Sequence, residues 1–143
     1  GGVKRARTLA TWLNTGMAII DKRRPKPNVS EVMNLIGDVE GKVAIFVDDM
    51  IDTAGTMVNG ASAILERGAV ETYACCSHGI LSGPAIERIQ NSSFKEVIVT
   101  DSIELAEDKI CDKIKVLSVD KILSEAIRRV YNNESLSQLF EKK

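Results

Sequence analysis

The fold of this chain is decided by one stretch, Val43-Ala44-Ile45-Phe46-Val47-Asp48-Asp49-Met50-Ile51-Asp52-Thr53-Ala54-Gly55-Thr56. Its first five residues are an unbroken apolar run, which is typical of a strand buried on both faces of a parallel sheet. After the loop, the spacing of apolar residues predicts a helix over residues 57–67 that Gly68 caps. A strand followed by a loop and a helix is the first part of a βαβ unit.

The rest of the chain continues this alternation. Helical spacing predicts helices over residues 3–13, 84–90 and 119–131, and short apolar runs predict strands over residues 17–20, 70–76, 97–100 and 114–117. Residues 29–36 fit either a helix or a strand, and the tail is expected to dock through Leu136, Leu139 and Phe140. This order predicts an α/β fold over residues 1–143, with a mainly parallel central sheet and helices on both faces.

Composition narrows the classes of function. The chain has 143 residues, 44% of them hydrophobic, which suits a single domain. Its formal net charge of -1 and aromatic content of 4% disfavour nucleic-acid binding. No apolar run approaches the ~18 residues of a membrane span, so we expect no membrane contact. Three cysteines, two of them adjacent, indicate reduced thiols in an intracellular compartment.

The loop after the strand has the composition of a phosphate site. Residues 53–56 are small or hydroxyl-bearing and lead into a helix, so backbone N–H groups and the helix dipole can meet a phosphate. Asp48 and Asp49 would repel a phosphate, but their carboxylates can bind sugar hydroxyls or Mg²⁺. The two halves together describe a pocket for a phosphorylated sugar. The plainer alternative is an acidic turn followed by a helix cap.

A second segment, residues 21–28, contains two prolines and four cations. We expect a mobile, solvated loop here, because proline interrupts regular structure. On residue types alone, a solvated run of charge is its ordinary interpretation. The role of Lys4, Arg5 and Arg7 is equally undecided by residue type, since all three fit a phosphate contact, an interface or a solvated helix face. His78, Cys75 and Cys76 are expected to be structural.

The chain resembles a known family at these segments. Residues 47–56 resemble the phosphoribosyl pyrophosphate (PRPP) loop shared by type I phosphoribosyltransferases and PRPP synthetases. Four further stretches resemble PRPP synthetases in particular: Gly1-Gly2-Val3-Lys4-Arg5-Ala6-Arg7, Asp21-Lys22-Arg23-Arg24-Pro25, Ser82-Gly83-Pro84-Ala85 and Ala126-Ile127-Arg128-Arg129. The resemblance implies a type I phosphoribosyltransferase-like domain. It also implies that the chain is the C-terminal half of a longer two-domain enzyme whose N-terminal half is absent.

The resemblance also implies a reaction and the residues that serve it. PRPP synthetases transfer the β,γ-diphosphoryl group of ATP to the 1-hydroxyl of ribose 5-phosphate and release AMP, with Mg²⁺ as cofactor. Lys22 and Arg24 match the catalytic residues, and Arg24 is also expected to contact ribose 5-phosphate. Asp48 and Asp49 would face the ribose hydroxyls, directly or through Mg²⁺. The 5-phosphate would be held by Asp52, Thr53, Ala54, Gly55 and Thr56.

Further expectations come from the family. Ser135 and Ser137 match a regulatory site for phosphate or ADP, and the family assembles as homo-oligomers, in hexamers. A cytoplasmic location is expected. Because the absent half would supply most of the ATP site, the isolated chain is expected to be inactive. Two alternatives are a type I phosphoribosyltransferase and a non-catalytic regulatory subunit associated with PRPP synthetases.

Overall fold

The computed structural model describes residues 2–23 and 32–140. Arg24 and the rest of the expected basic loop after it lie outside the described residues. In chain order the helices are α1 (Val3–Leu13), α2 (Gly55–Glu66), α3 (Ala85–Gln90) and α4 (Asp120–Tyr131). The strands are β1 (Ile19–Arg23), β2 (Val32–Ile36), β3 (Val43–Ile51), β4 (Glu71–Gly79), β5 (Phe94–Thr100) and β6 (Ile114–Leu117).

A parallel four-stranded sheet with the order β3-β4-β5-β6 is the centre of the fold. Helix α2 connects β3 to β4, and helix α3 connects β4 to β5. These crossovers are the βαβ units that the alternating pattern predicts. The α/β class and the parallel sheet are therefore confirmed.

The main core lies on one face of this sheet. Buried side chains of the central strands β4 and β5 meet buried side chains of α2 and α3 in a single cluster, which includes Ala61, Ala74, Ala85, Ile89, Val97 and Val99. Both helices therefore cover the same face, and the expected helices on both faces are found only in part. On β3, Val43 and Ile45 are 55% and 49% exposed, so the prediction of a strand buried on both faces is wrong for the described chain.

A two-stranded antiparallel sheet, β1-β2, lies beside the main sheet. Ile20 and Leu35 pack with the second core cluster, to which Ile64 of α2 belongs. Regular structure extends to residue 23, so the irregular loop that the charged residues predict does not begin at residue 21. Cross-strand pairing overrides the local preference here.

The C-terminal elements are the least covered. Helix α4 has the predicted amphipathic pattern, yet Ile127 is 70% exposed and no residue of the helix is buried. In the tail, Leu139 is partly buried whereas Phe140 is 78% exposed. The expected docking through Phe140 is therefore wrong. An apolar pattern indicates which side chains suit burial, but it does not show whether another part of the chain covers them.

Candidate functional site

The candidate site lies at the carboxyl end of β3, where ligands bind in open α/β sheets. Strand β3 extends through both predicted acids to Ile51, and helix α2 begins at Gly55, two residues earlier than its expected start. An open cavity between them is lined by Asp48, Met50, Ile51, Asp52, Thr53, Ala54, Gly55, Thr56 and Met57. The structure thus brings together every residue that the loop motif predicts except Asp49.

The loop ends in a turn that leaves the start of α2 open. Ala54 has a left-handed backbone (φ 59°, ψ −8°), and no side chain caps the helix. The first helical hydrogen bond joins the Val58 N–H to the Ala54 carbonyl at 3.0 Å. The N–H groups of the preceding residues, 55–57, have no acceptor within the helix. Together with the positive end of the helix dipole, they can bind an anion such as a phosphate.

Two side chains from outside the motif hold the loop in place. The Arg88 guanidinium on α3 donates from Nη1 to the Thr53 carbonyl at 2.9 Å. The Ser82 hydroxyl donates to the Asp52 carboxylate, and the Ser82 N–H donates to the Asp52 carbonyl at 3.2 Å. The sequence did not predict that Arg88 and Ser82 contact this loop, although the stretch that begins at Ser82 was among those singled out.

The paired acids meet a cation from helix α1. The Arg5 guanidinium donates to Asp49 Oδ2 at 2.9 Å and to Asp48 Oδ1 at 3.5 Å. A hydrogen bond with the Asp48 side chain is the main cause that lowers the pKa of Asp49; the charge of Arg5 lowers it further, and burial partly opposes both. We therefore expect Asp49 to be ionised at neutral pH.

The donor set suits Mg²⁺ only with help from a ligand. No group of three or more histidine, cysteine or acidic residues that could hold a metal occurs in residues 2–23 and 32–140. Mg²⁺ commonly binds one or two carboxylates together with substrate phosphates. Asp48 and Asp49 fit that arrangement, and they do not form a complete protein site by themselves.

The other predicted residues lie in separate elements. Lys22 is paired with Met33 in the β1-β2 sheet. Ser135 and Ser137 follow α4, where their hydroxyls are 2.6 Å apart and Arg129 Nη1 donates to the Ser135 carbonyl at 2.9 Å. His78 lies beside Met50 in the strand register, and its Nδ1 is 2.8 Å from the Ser102 hydroxyl.

The fold and the site together define an α/β domain with a loop and an uncapped helix start at the carboxyl edge of a parallel sheet. The family model of the phosphoribosyl synthetase-associated domain matches residues 4–141, and the chain belongs to this family. No helix among the described residues has the length and apolar character needed to cross a membrane.

Individual relatives agree with this assignment. The chain is 66% identical over 140 residues to a ribose-phosphate pyrophosphokinase of Fusobacterium nucleatum, covering 98% of this chain and 44% of that protein. It is 61% identical over 142 residues to the Clostridium acetobutylicum protein of the same name, covering 99% and 44%. The crystal structure of a Mycobacterium smegmatis phosphoribosylpyrophosphate synthetase matches with a TM-score of 0.79 and 36% identity, covering 90% of this chain and 42% of that one.

The extent of these matches limits what they establish. The chain spans about 44% of the length of the curated relatives it matches. The comparisons support membership of the synthetase family, and they do not support the expected position in the C-terminal half.

Proposed function

We propose that the complete protein to which this chain belongs is a ribose-phosphate diphosphokinase. It transfers the β,γ-diphosphoryl group of ATP to the 1-hydroxyl of ribose 5-phosphate, giving PRPP and AMP for nucleotide biosynthesis. This chain contributes the ribose 5-phosphate site and the catalytic loop. The observation that supports the proposal best is the uncapped start of α2 beside Asp48, in a chain 66% identical to a ribose-phosphate pyrophosphokinase.

In this proposal the two ends of ribose 5-phosphate lie in parts of the cavity that differ in charge. The 5-phosphate lies against residues 52–56, where N–H groups and hydroxyls are the donors. The ribose hydroxyls face the carboxylate side of the cavity, because a hydroxyl can donate to Asp48 whereas a phosphate would be repelled. Mg²⁺ supplies charge neutralisation on the transferred phosphates when it is bound.

The catalytic loop acts on the moving group in this proposal. Diphosphoryl transfer depends mainly on positioning and on cations around the transferred phosphates. Lys22 supplies a compact charge, and Arg24 supplies a forked guanidinium that can bind two oxygens at once. Lys22 lies in β1, two residues after Ile20, which packs in the same core cluster as Ile64 of α2. This position supports the assignment of Lys22 to the side of the fold where α2 lies.

The test uses the complete polypeptide and measures AMP release from ATP and ribose 5-phosphate with Mg²⁺. The wild-type protein should release AMP only when ribose 5-phosphate is present, and Lys22→Ala should lower the rate by about 10²–10³, the usual loss for one transition-state contact. Lys121→Ala, on the exposed side of α4, is the matched control and should retain the wild-type rate. Chelation of Mg²⁺ should abolish the reaction reversibly.

Other results would replace the proposal. Consumption of PRPP that depends on an added nucleobase would indicate a type I phosphoribosyltransferase. Binding to partner subunits without AMP release would indicate a regulatory subunit. The isolated chain should bind ribose 5-phosphate without turnover, so AMP release by the chain alone would contradict the division of the site proposed here.

Three expectations remain proposals of the same kind. Ser135 and Ser137 belong to a regulatory site for ADP or phosphate, the complete protein is a homo-oligomer, and its location is cytoplasmic. The support for the first is the pair of neighbouring hydroxyls that follows α4, close to the Ser135 carbonyl that accepts a hydrogen bond from Arg129. ADP inhibition that disappears in a Ser135→Ala, Ser137→Ala double variant would test it.

A further inference from the structure

The loop between β3 and α2 is held through two of its carbonyl oxygens. The Asp52 carbonyl accepts a hydrogen bond from the Ser82 N–H at 3.2 Å. The next carbonyl along the chain, that of Thr53, accepts one from Nη1 of Arg88 at 2.9 Å. Both donors belong to residues 80–88, which follow strand β4 and continue into helix α3. Two successive peptide groups of the loop are therefore fixed with their oxygens turned toward residues 80–88.

The N–H groups of these two peptides are directed the opposite way. No cis peptide bond occurs in the described chain, and in a trans peptide the C=O and N–H bonds point in opposite directions. The N–H groups of Thr53 and Ala54 therefore point away from residues 80–88. The cavity lies on that side, because residues 50–57 line it and residues 80–88 do not. Within the described residues neither N–H has a hydrogen-bond acceptor, so both are available to a ligand.

The peptide between Thr53 and Ala54 depends on Arg88 for its orientation. Ala54 has a left-handed backbone (φ 59°), which a residue with a Cβ atom rarely adopts unless its surroundings hold it there. In the described chain, the Arg88 guanidinium makes the one hydrogen bond to this peptide group. Gly55 permits its close approach, since a Cβ atom at residue 55 would lie 3.0 Å from Nη1.

We propose that Arg88 is a positioning residue for phosphate binding: by holding the Thr53 carbonyl, it keeps the Ala54 N–H turned toward the cavity, where this group donates to the phosphate of ribose 5-phosphate. The inference rests on the proposed function, because that function makes the loop the site of this phosphate. Arg88 acts through the peptide group and does not touch the ligand. Its effect is transmitted by a hydrogen bond, so it differs from attraction by a distant charge, which salt screens.

The test is an NMR titration of the isotope-labelled chain with inorganic phosphate and, separately, with ribose 5-phosphate, followed through the backbone amide signals. In the wild type, the signals of Ala54 and Thr56 should both move, and ribose 5-phosphate should bind more tightly than inorganic phosphate. Arg88→Ala should weaken the binding of both ligands by about tenfold, because one hydrogen bond to a charged group is lost. The Ala54 signal should then stay in place. The Thr56 signal should still move, since that N–H belongs to helix α2.

Two further measurements separate positioning from the charge of Arg88. Arg88→Lys keeps the charge but loses the planar fork of the guanidinium, so it should restore only part of the affinity. Salt at about 1 M shortens the screening length to about 3 Å, and the ratio of wild-type to Arg88→Ala affinity should be the same there as at low salt. Gln90→Ala, an exposed substitution on helix α3, is the matched control and should bind like the wild type. Unchanged amide signals from β4 and β5 show that each variant is folded.

Each outcome decides for or against the inference. An Arg88→Ala chain that binds like Gln90→Ala, an Ala54 signal that still moves in Arg88→Ala, or a loss that disappears at high salt would overturn it and leave the proposed function intact. A wild type that binds ribose 5-phosphate no more tightly than inorganic phosphate would contradict the proposed function, and the Arg88→Ala titration with inorganic phosphate would still decide whether Arg88 positions the loop. A wild type that binds neither ligand would overturn both.

Discussion

At the scale of single residues, burial controls the chemistry of the adjacent cysteines. Cys76 belongs to the main core, and burial raises the pKa of its thiol to about 11. Burial also raises the pKa of Cys75. Because the thiolate is the reactive form of cysteine, neither side chain is a nucleophile at neutral pH. The geometry agrees with the packing function that the alternating strand pattern predicts.

The raised pKa of the Cys76 thiol makes the stability of the fold depend on pH in the alkaline range. Above the ordinary pKa of 9.0, the unfolded chain loses the Cys76 proton while the native chain keeps it up to about pH 11. Rising pH therefore favours unfolding across this interval. The free energy of unfolding, measured with urea at several pH values, should fall by ~2–3 kcal/mol more in the wild type than in Cys76→Ala. Equal slopes of the free energy of unfolding against pH in the two proteins would contradict the prediction. The difference between their free energies of unfolding at pH 7 measures the packing that Cys76→Ala removes at every pH.

At the scale of elements, the end of α4 is organised by charge. Glu125 accepts hydrogen bonds from Arg128 and Arg129, and Arg128 also binds both oxygens of Glu134. The guanidinium of Arg128, and then that of Arg129, lower the pKa of Glu125 to about 2. The positive charges in the last turn also suit the negative end of the helix dipole. This network ties the helix to the segment that begins at residue 134.

The network should be lost in acid. The native pKa of Glu125 is below its ordinary value of 4.5, so its contribution is present above pH 4.5 and disappears as the pH falls toward 2. The midpoint of thermal unfolding, followed by circular dichroism, should decrease more over this interval in the wild type than in Glu125→Gln. Glu66→Gln, an exposed substitution at the end of α2, should behave like the wild type. A Glu125→Gln protein with the wild-type decrease would show that the network does not contribute.

At the scale of the whole molecule, Phe46 connects the two core clusters. Its ring packs against both of them and meets the Phe94 ring edge-on at a centroid distance of 5.6 Å. The sheet that carries the acids and the sheet that carries Lys22 are therefore coupled through one side chain of β3. We expect the described elements to unfold together for this reason.

Two neighbouring substitutions on β3 test that coupling. Phe46→Ala should lower the free energy of unfolding by about 3 kcal/mol or more, because it leaves a cavity shared by both clusters. Ile45→Ala, on the exposed face of the same strand, should cost less than about 1 kcal/mol. Urea denaturation followed by tryptophan fluorescence and by circular dichroism measures both. Two separate transitions in the wild type, or similar losses in the two variants, would disprove the coupling.

Much of the fold could be predicted from local patterns. Helix α1 and strand β6 have the bounds that apolar spacing predicts, and the order of strands and helices is as expected. Errors occur where long-range pairing decides the outcome. Residues 21–23 are strand despite their charges because β2 pairs with them, and Val43 is exposed because both packed helices cover the other face of the sheet.

For the candidate site, the sequence by itself determined the position of the loop between β3 and α2, since small residues between a strand and a helix are a local signal. Only the tertiary structure decided how that loop is held and which cation meets the two acids. The contacts from Arg5 to Asp49 and from Arg88 to Thr53 join residues 44 and 35 positions apart. No spacing rule connects such residues, because their meeting depends on how helices α1 and α3 pack, and packing is a property of the whole chain.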